Sequence, residues 1–168
     1  MGYRAVGKTS VARELARRTG RPWIDLDAMI EQRLGGTIAD YFASHGEVAF
    51  REVETQTLTR VLNELERPTI VSLGGGAVLR DVNRQLLKRH GTRIWLSAEV
   101  ATICQRLAAD EKTAGQRPSL TGGDVIGEVQ SVLDVRTPIY RQLADLTVAV
   151  DQTTVQDIAE NILKGIST

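Results

Sequence analysis

One cysteine, two histidines and no surplus of either charge narrow what this chain can do. Cys104 alone cannot close an internal disulfide, and its flanks Ile103 and Leu107 give it the setting of a core helix thiol, which suits a reducing cytoplasm. His45 and His90 have no metal-ligand partners at useful spacing, so neither is assigned chemistry. Lys plus Arg and Asp plus Glu both total 21, so no net field draws the chain to nucleic acid or to an anionic membrane, and neither is expected as a partner. No apolar run approaches the ~20 residues of a membrane span, and the N-terminus lacks a signal or transit pattern, so a cytoplasmic location is expected. Coiled-coil heptads and a long exposed apolar stripe are also missing, which leaves a monomer as the expectation, and there is no internal repeat. What remains is 168 residues, 42% hydrophobic and 25% charged, a size and balance that fit one soluble domain.

Against that plain background one motif stands out. Gly2-Tyr3-Arg4-Ala5-Val6-Gly7-Lys8-Thr9 has the spacing G-x-x-x-x-G-K-[ST]. In that motif backbone N–H groups cradle phosphates, the lysine reaches the β/γ-phosphates and the hydroxyl contacts Mg²⁺. Ala5 and Val6 fill permissive positions, although a β-branched Val6 stiffens a loop that is often richer in glycine. Such loops follow a buried parallel strand, and only Met1 precedes this one, so the strand that aims the loop is expected to be missing.

Behind the loop, Val11, Ala12, Leu15 and Ala16 recur at helical spacing from Lys8 to Arg18, and Gly20 with Pro22 supplies a stop. Four short apolar runs read as buried strands: Trp23-Ile24, Thr69 to Leu73, Arg93 to Leu96 and Leu146 to Val150. Helical patterns lie between them, from Gly46 to Glu66, Asp81 to His90, and Ser97 to Ala109 capped by Ser97. A last helix, Thr154 to Lys164, opens on the capping box Thr154-x-x-Asp157. Alternating strands and helices imply a doubly wound parallel sheet. The polar stretch Asp110 to Asp124 reads as a flap.

Several residues then fall where such a sheet meets its ligands. Strand alternation puts Asp25 and Asp27 on one face at a carboxyl end, which suits one acid for Mg²⁺ and one for an acceptor hydroxyl; alternatively Asp27 only caps the helix Ala28 to Leu34. Arg51 and Glu54 stand one helical turn apart, so the carboxylate can fix the guanidinium for a substrate carboxylate, or the two form a solvated surface pair. Gly74-Gly75-Gly76 follows a strand directly, and lack of Cβ lets backbone N–H groups approach a ligand; the alternative is a plain flexible turn. Arg117-Pro118 in the flap offers a cation to the phosphates, and Arg136 offers a second anion clamp where Arg136 to Tyr140 interrupts a helix near its end.

In order and spacing, the P-loop, Asp25-x-Asp27, Phe50-Arg51-x-x-Glu54, Gly74-Gly75-Gly76, Arg117-Pro118 and Arg136-x-Pro138-x-Tyr140-x-x-x-Ala144 together resemble the shikimate kinase family. The resemblance spans nearly the whole chain. It implies an α/β fold with a three-layer doubly wound parallel sheet of the P-loop kinase type, strand order 2-3-1-4-5, with the first strand missing here. It implies a single domain over 1–168, with a lid at about 110–124 and a substrate-binding region at about 27–62. The implied activity is phosphoryl transfer from ATP to one ring hydroxyl of shikimate, in chorismate and aromatic amino acid biosynthesis, with Mg²⁺ as cofactor. Carried over residue by residue, Ala5, Val6, Gly7, Lys8, Thr9, Ser10, Arg117 and Thr153 would meet ATP. Thr9 and Asp25 would serve the metal. Lys8, Asp27 and Arg117 would act on the transferring group, and Asp27, Arg51, Gly74, Gly75, Gly76 and Arg136 would hold shikimate. A gluconate kinase-like enzyme and a truncated, non-catalytic paralogue are the alternatives.

Overall fold

The computed structural model describes residues 1–109 and 125–166. In chain order the elements are α1 Lys8–Thr19, β1 Trp23–Asp25, α2 Leu26–Leu34, α3 Ile38–Asn63, β2 Ile70–Ser72 and α4 Asp81–Lys88. They are followed by β3 Ile94–Ser97, α5 Val100–Ala109, α6 Val125–Leu143, β4 Leu146–Ala149 and α7 Val155–Ile166.

Every strand pair is parallel. β1 lies on β2 with Trp23, Ile24 and Asp25 opposite Ile70, Val71 and Ser72. β3 lies on β4 with Ile94 to Ser97 opposite Leu146 to Ala149. On the edge of β3 away from β4, Met1 makes one parallel bridge: its amino group donates to the Ile94 carbonyl at 2.8 Å, and its carbonyl accepts from the Leu96 N–H at 2.9 Å. In the numbering of the resemblance, β1-β2 are strands 2-3 and β3-β4 are strands 4-5. Met1 stands where the expected first strand would reach its carboxyl end.

Alternation along these short strands builds two cores. Trp95 of β3 and Val71 of β2 pack into one, with Leu26, Ile30, Phe50, Leu58 and Leu87 from α2, α3 and α4. Ile94, Leu96 and Ile70 pack into the other, with Val11, Leu15, Ile103, Ile158 and Ile162 from α1, α5 and α7. Strands apolar on both faces need helices on both faces, and this gives the three layers. Helix α6 joins the two cores, giving Val129 to the second and Tyr140 and Leu143 to the first. Cys104 is half-buried against the second core. Among the described residues no helix is long and apolar enough to cross a membrane.

Four local expectations need correction. Ser97 ends β3, with its carbonyl accepting from Val150 N–H, so α5 starts later than a Ser97 cap would place it. The helix expected from Gly46 is the second of two that meet at a kink there (φ 77°, ψ 176°); the first begins at Ile38, where Thr37 accepts from the Asp40 N–H at 3.0 Å, and the second stops at Asn63, short of the expected Glu66. The conformation at the kink suits glycine. Helix α6 runs through Pro138, so the segment from Arg136 to Tyr140 lies on one continuous helix. Asp27 sits in the first turn of α2, and the cap of that helix is Asp25. At the start of α7 Thr154 caps the helix as expected, its hydroxyl accepting from the Asp157 N–H and donating to the Asp157 carboxylate.

Candidate active site

At the carboxyl ends of β1 and β2 two cavities meet. The first, about 210 Å³, is lined by the loop residues Arg4, Ala5, Gly7, Lys8, Thr9 and Ser10, with Asp25, Asp27, Ser72 and Leu73. Gly7 caps α1 in the left-handed region (φ 86°) and Ala5 also has positive φ (61°), a conformation that costs an alanine about 1–2 kcal/mol. The loop is thus wound against the N-terminus of α1, where exposed N–H groups and the helix dipole favour an anion. Lys8 Nζ donates to the Tyr3 carbonyl at 2.7 Å, folding the lysine back across the loop. Thr9 Oγ1 donates to Asp25 Oδ2 at 2.6 Å, while Asp25 Oδ1 accepts from the N–H groups of Asp27 and Ala28. One carboxylate therefore ties the loop hydroxyl to the start of α2. A hydroxyl and a carboxylate are hard oxygen donors of the kind Mg²⁺ takes alongside water and phosphate.

The second cavity, about 160 Å³, is lined by side chains that include Asp27, Phe50, Arg51, Glu54 and Arg136, and by Gly74, Gly75 and Gly76. Arg51 Nη1 donates to Glu54 Oε2 at 2.8 Å, and a second arm reaches Glu47 at 3.1 Å. Glu54 is 1% exposed, so this is a buried clamp and not a solvated surface pair. Burial pushes the Glu54 carboxyl above its ordinary value, against the pull of Arg51 and Arg136. Across the cavity Arg136 projects from α6, its guanidinium carbon 6.0 Å from the centre of the Tyr3 ring. One turn on, Tyr140 donates its hydroxyl to the Gly75 carbonyl at 2.5 Å and stacks on Trp95. Burial pushes that hydroxyl up to about 12, so it stays a donor.

The three glycines have a reason beyond backbone access. A Cβ on Gly74 would lie 2.5 Å from Asp27 Oδ1, and one on Gly76 would lie 2.6 Å from Arg51 Nη2. The glycine run makes room for the acid and for the arginine of the site. Gly75 is looser: a Cβ there would lie 3.3 Å from the Gly2 carbonyl oxygen and 3.6 Å from Arg136 Nη1.

Most of the residues expected at the site meet here, but not all. Val6 is 1% exposed and packs into the second core, so only its backbone can face a nucleotide. Thr153 lies in the turn after β4, its hydroxyl donating to the Asp151 carbonyl, and is not among the residues lining either cavity. Arg117 and the proposed lid fall outside the described residues. The sequence reading missed Tyr3, Arg4, Ile38, Phe42 and Val132 in the second cavity, and Arg106, whose guanidinium reaches the Val150 and Ala5 carbonyls and joins β4 to the loop. Only Arg4 carried a signal, as a charged residue inside the loop motif.

Comparison with known proteins agrees with this geometry. The family model for shikimate kinase matches residues 4–167. A shikimate kinase of Rhodopirellula baltica is 40% identical over 98% of this chain and 87% of its own length, and one of Symbiobacterium thermophilum is 38% identical over 99% and 93%. The solved shikimate kinase of Acinetobacter baumannii in complex with shikimate superposes with a TM-score of 0.90 at 34% identity, covering 99% of this chain and 89% of that one. With the phosphate loop, the Asp25–Thr9 pair and the arginine clamp around one cleft, the chain belongs to the shikimate kinase family.

Proposed function

We propose that this chain transfers the γ-phosphoryl group of ATP to a ring hydroxyl of shikimate. The observation that carries the reading is the position of Asp27, which lines both the cavity under the phosphate loop and the cavity that holds Arg51 and Arg136. A shikimate carboxylate paired with the two guanidiniums would sit at the far end of the second cavity, leaving its ring hydroxyls toward Asp27 and the glycines. Asp27 accepts a hydrogen bond from the attacking hydroxyl and takes its proton as the new O–P bond forms. The bond from phosphorus to the β–γ bridging oxygen breaks, and ADP leaves.

The protein contributes position and charge in such a transfer, with little covalent chemistry. Lys8 reaches the phosphates from the loop, and Gly7, Thr9 and Ser10 present backbone N–H groups at the start of α1. Thr9 and Asp25 would hold Mg²⁺, which when bound draws charge from the phosphate oxygens. Arg117 supplies a further cation from the segment at about 110–124, and Thr153 borders the adenine. Shikimate is held over about 27–62, by Gly74, Gly75 and Gly76, and by Arg136. The protein works as a cytoplasmic monomer.

The test is ADP release with and without shikimate at saturating Mg·ATP, beside a panel of other hydroxylated acids including gluconate. Shikimate-dependent turnover, with Arg136→Ala raising the KM for shikimate well above that of the unaltered chain, is the expected result. Turnover of gluconate in preference to shikimate, or an unaltered shikimate KM in Arg136→Ala, would overturn it.

A further inference from the structure

Phosphoryl transfer needs positive charge where the group is in flight, and the loop motif supplies only Lys8 for that purpose. Arg4 occupies a position of the motif that carries no assigned chemistry, yet together with Asp27 it lines both cavities. A phosphoryl group passing from the loop to an acceptor beside Asp27 has to cross that shared border.

The surroundings of Arg4 hold it there without using it up. Its Nη2 lies 3.4 Å from Oε1 of Glu128, a side chain 5% exposed in the first turn of α6. That is long for a charge-assisted hydrogen bond, which usually closes to 2.7–2.9 Å. Its Nε is buried and has no hydrogen-bond acceptor. The guanidinium carbon stands 5.8 Å from the centre of the Tyr3 ring. A purely structural arginine in such a place satisfies its buried donors, because an orphan N–H out of contact with water is destabilising. An oxyanion at the border between the cavities would supply the missing acceptor.

Resting on the phosphoryl transfer reading above, we propose that Arg4 is a catalytic residue whose guanidinium meets the transferring phosphoryl group between the two cavities, and that Glu128 is its positioning residue. The planar group in flight spreads negative charge over its equatorial oxygens. Lys8 serves it from the loop side and Arg4 from the acceptor side. Glu128 keeps the guanidinium from turning toward the carboxylate end of the acceptor, where Arg51 and Arg136 already stand.

The experiment compares steady-state kinetics of Arg4→Met, Arg4→Ala and Glu128→Gln with the unaltered chain, after unfolding midpoints show that each variant is folded. Arg4→Met is expected to lower kcat by about 10²-fold or more, as loss of a donor to developing charge does, with both KM values changed less than about threefold. Added guanidinium ion is expected to restore part of the kcat of Arg4→Ala, which a packing role would not allow. Glu128→Gln keeps an acceptor oxygen and loses the charge, so a smaller fall in kcat at constant KM is expected. A retained kcat in Arg4→Met, or a rise in shikimate KM alone, would overturn the proposal and make Arg4 a bystander or a binding residue. Equal loss of kcat and of nucleotide affinity, with no rescue by guanidinium, would make it a structural part of the loop. Should the unaltered chain prefer another acceptor, the substrate reading fails separately and the same kcat comparison on that acceptor decides the case for Arg4.

Discussion

Replacing Gly76 by alanine tests whether the glycine run exists to seat the arginine clamp. The backbone at Gly76 has no positive φ, so an alanine is not strained there. The new Cβ would nevertheless lie 2.6 Å from Arg51 Nη2 and 2.7 Å from its Cζ. Ordinary contact between such atoms is ~3.5 Å, so the guanidinium has to retreat by about 1 Å. Arg51 cannot do so freely, because Glu54 and Glu47 hold it from its own helix at 2.8 and 3.1 Å. Hydrogen bonds to charged groups contribute about 1.5–3 kcal/mol each, so losing one to a substrate carboxylate is expected to raise the shikimate KM roughly 10- to 100-fold. The KM for ATP should stay within a factor of about two, since the phosphate cavity does not include Gly76. The assay is initial ADP release over a shikimate series at fixed Mg·ATP, with a urea unfolding curve as control. Gly74→Ala gives the contrast: its Cβ would lie 2.5 Å from Asp27 Oδ1, so kcat should fall more than KM rises. Gly75→Ala, with looser contacts, should be the mildest of the three. A wild-type shikimate KM in a folded Gly76→Ala chain would mean that the glycine does not seat the arginine clamp.

Burial raises the Glu54 carboxyl, so the shikimate KM should climb as pH falls through that raised value and Arg51 loses its charged partner, whereas Glu54→Gln should show a high KM with no such inflection. Stability runs the other way: the folded chain binds the Glu54 proton more tightly than the unfolded chain, so this contribution is present below the ordinary carboxylate pKa and is lost as pH rises through the raised one. Urea midpoints of both chains across that range check the sign. Tyr140→Phe leaves the Gly75 carbonyl without the donor that reaches it at 2.5 Å; a stability loss of about 1–3 kcal/mol by denaturant unfolding, with a modest rise in shikimate KM, is expected. Thr9→Val removes the hydroxyl that meets Asp25, so the KM for Mg·ATP should rise about tenfold or more, given ~1.5–3 kcal/mol for such a bond, while the shikimate KM measured at saturating ATP stays put.

The local order of this chain was legible because local physics writes it. The 3.6-residue spacing of Val11, Ala12 and Leu15, the short apolar runs before Ser72 and Ser97, and the Thr154-x-x-Asp157 cap signal each name their element without reference to the rest of the fold. The P-loop and the pair Arg51–Glu54 were legible for the same reason, since their spacing is fixed by a single turn of backbone. Distances between elements carry no such signal. That Asp25 rather than Asp27 caps α2 and that Val6 lies in a core both follow from how helices pack on the sheet. The seating of Asp27 and Arg51 against Gly74 and Gly76 depends on residues 47 and 25 positions apart, and the approach of Arg4 to Glu128 on residues 124 apart. Sequence alone determined which chemistry is present, because residue type and short spacing suffice for that. The tertiary structure decided which groups share a cavity, because only packing brings a loop, two strand ends and four helices to one place.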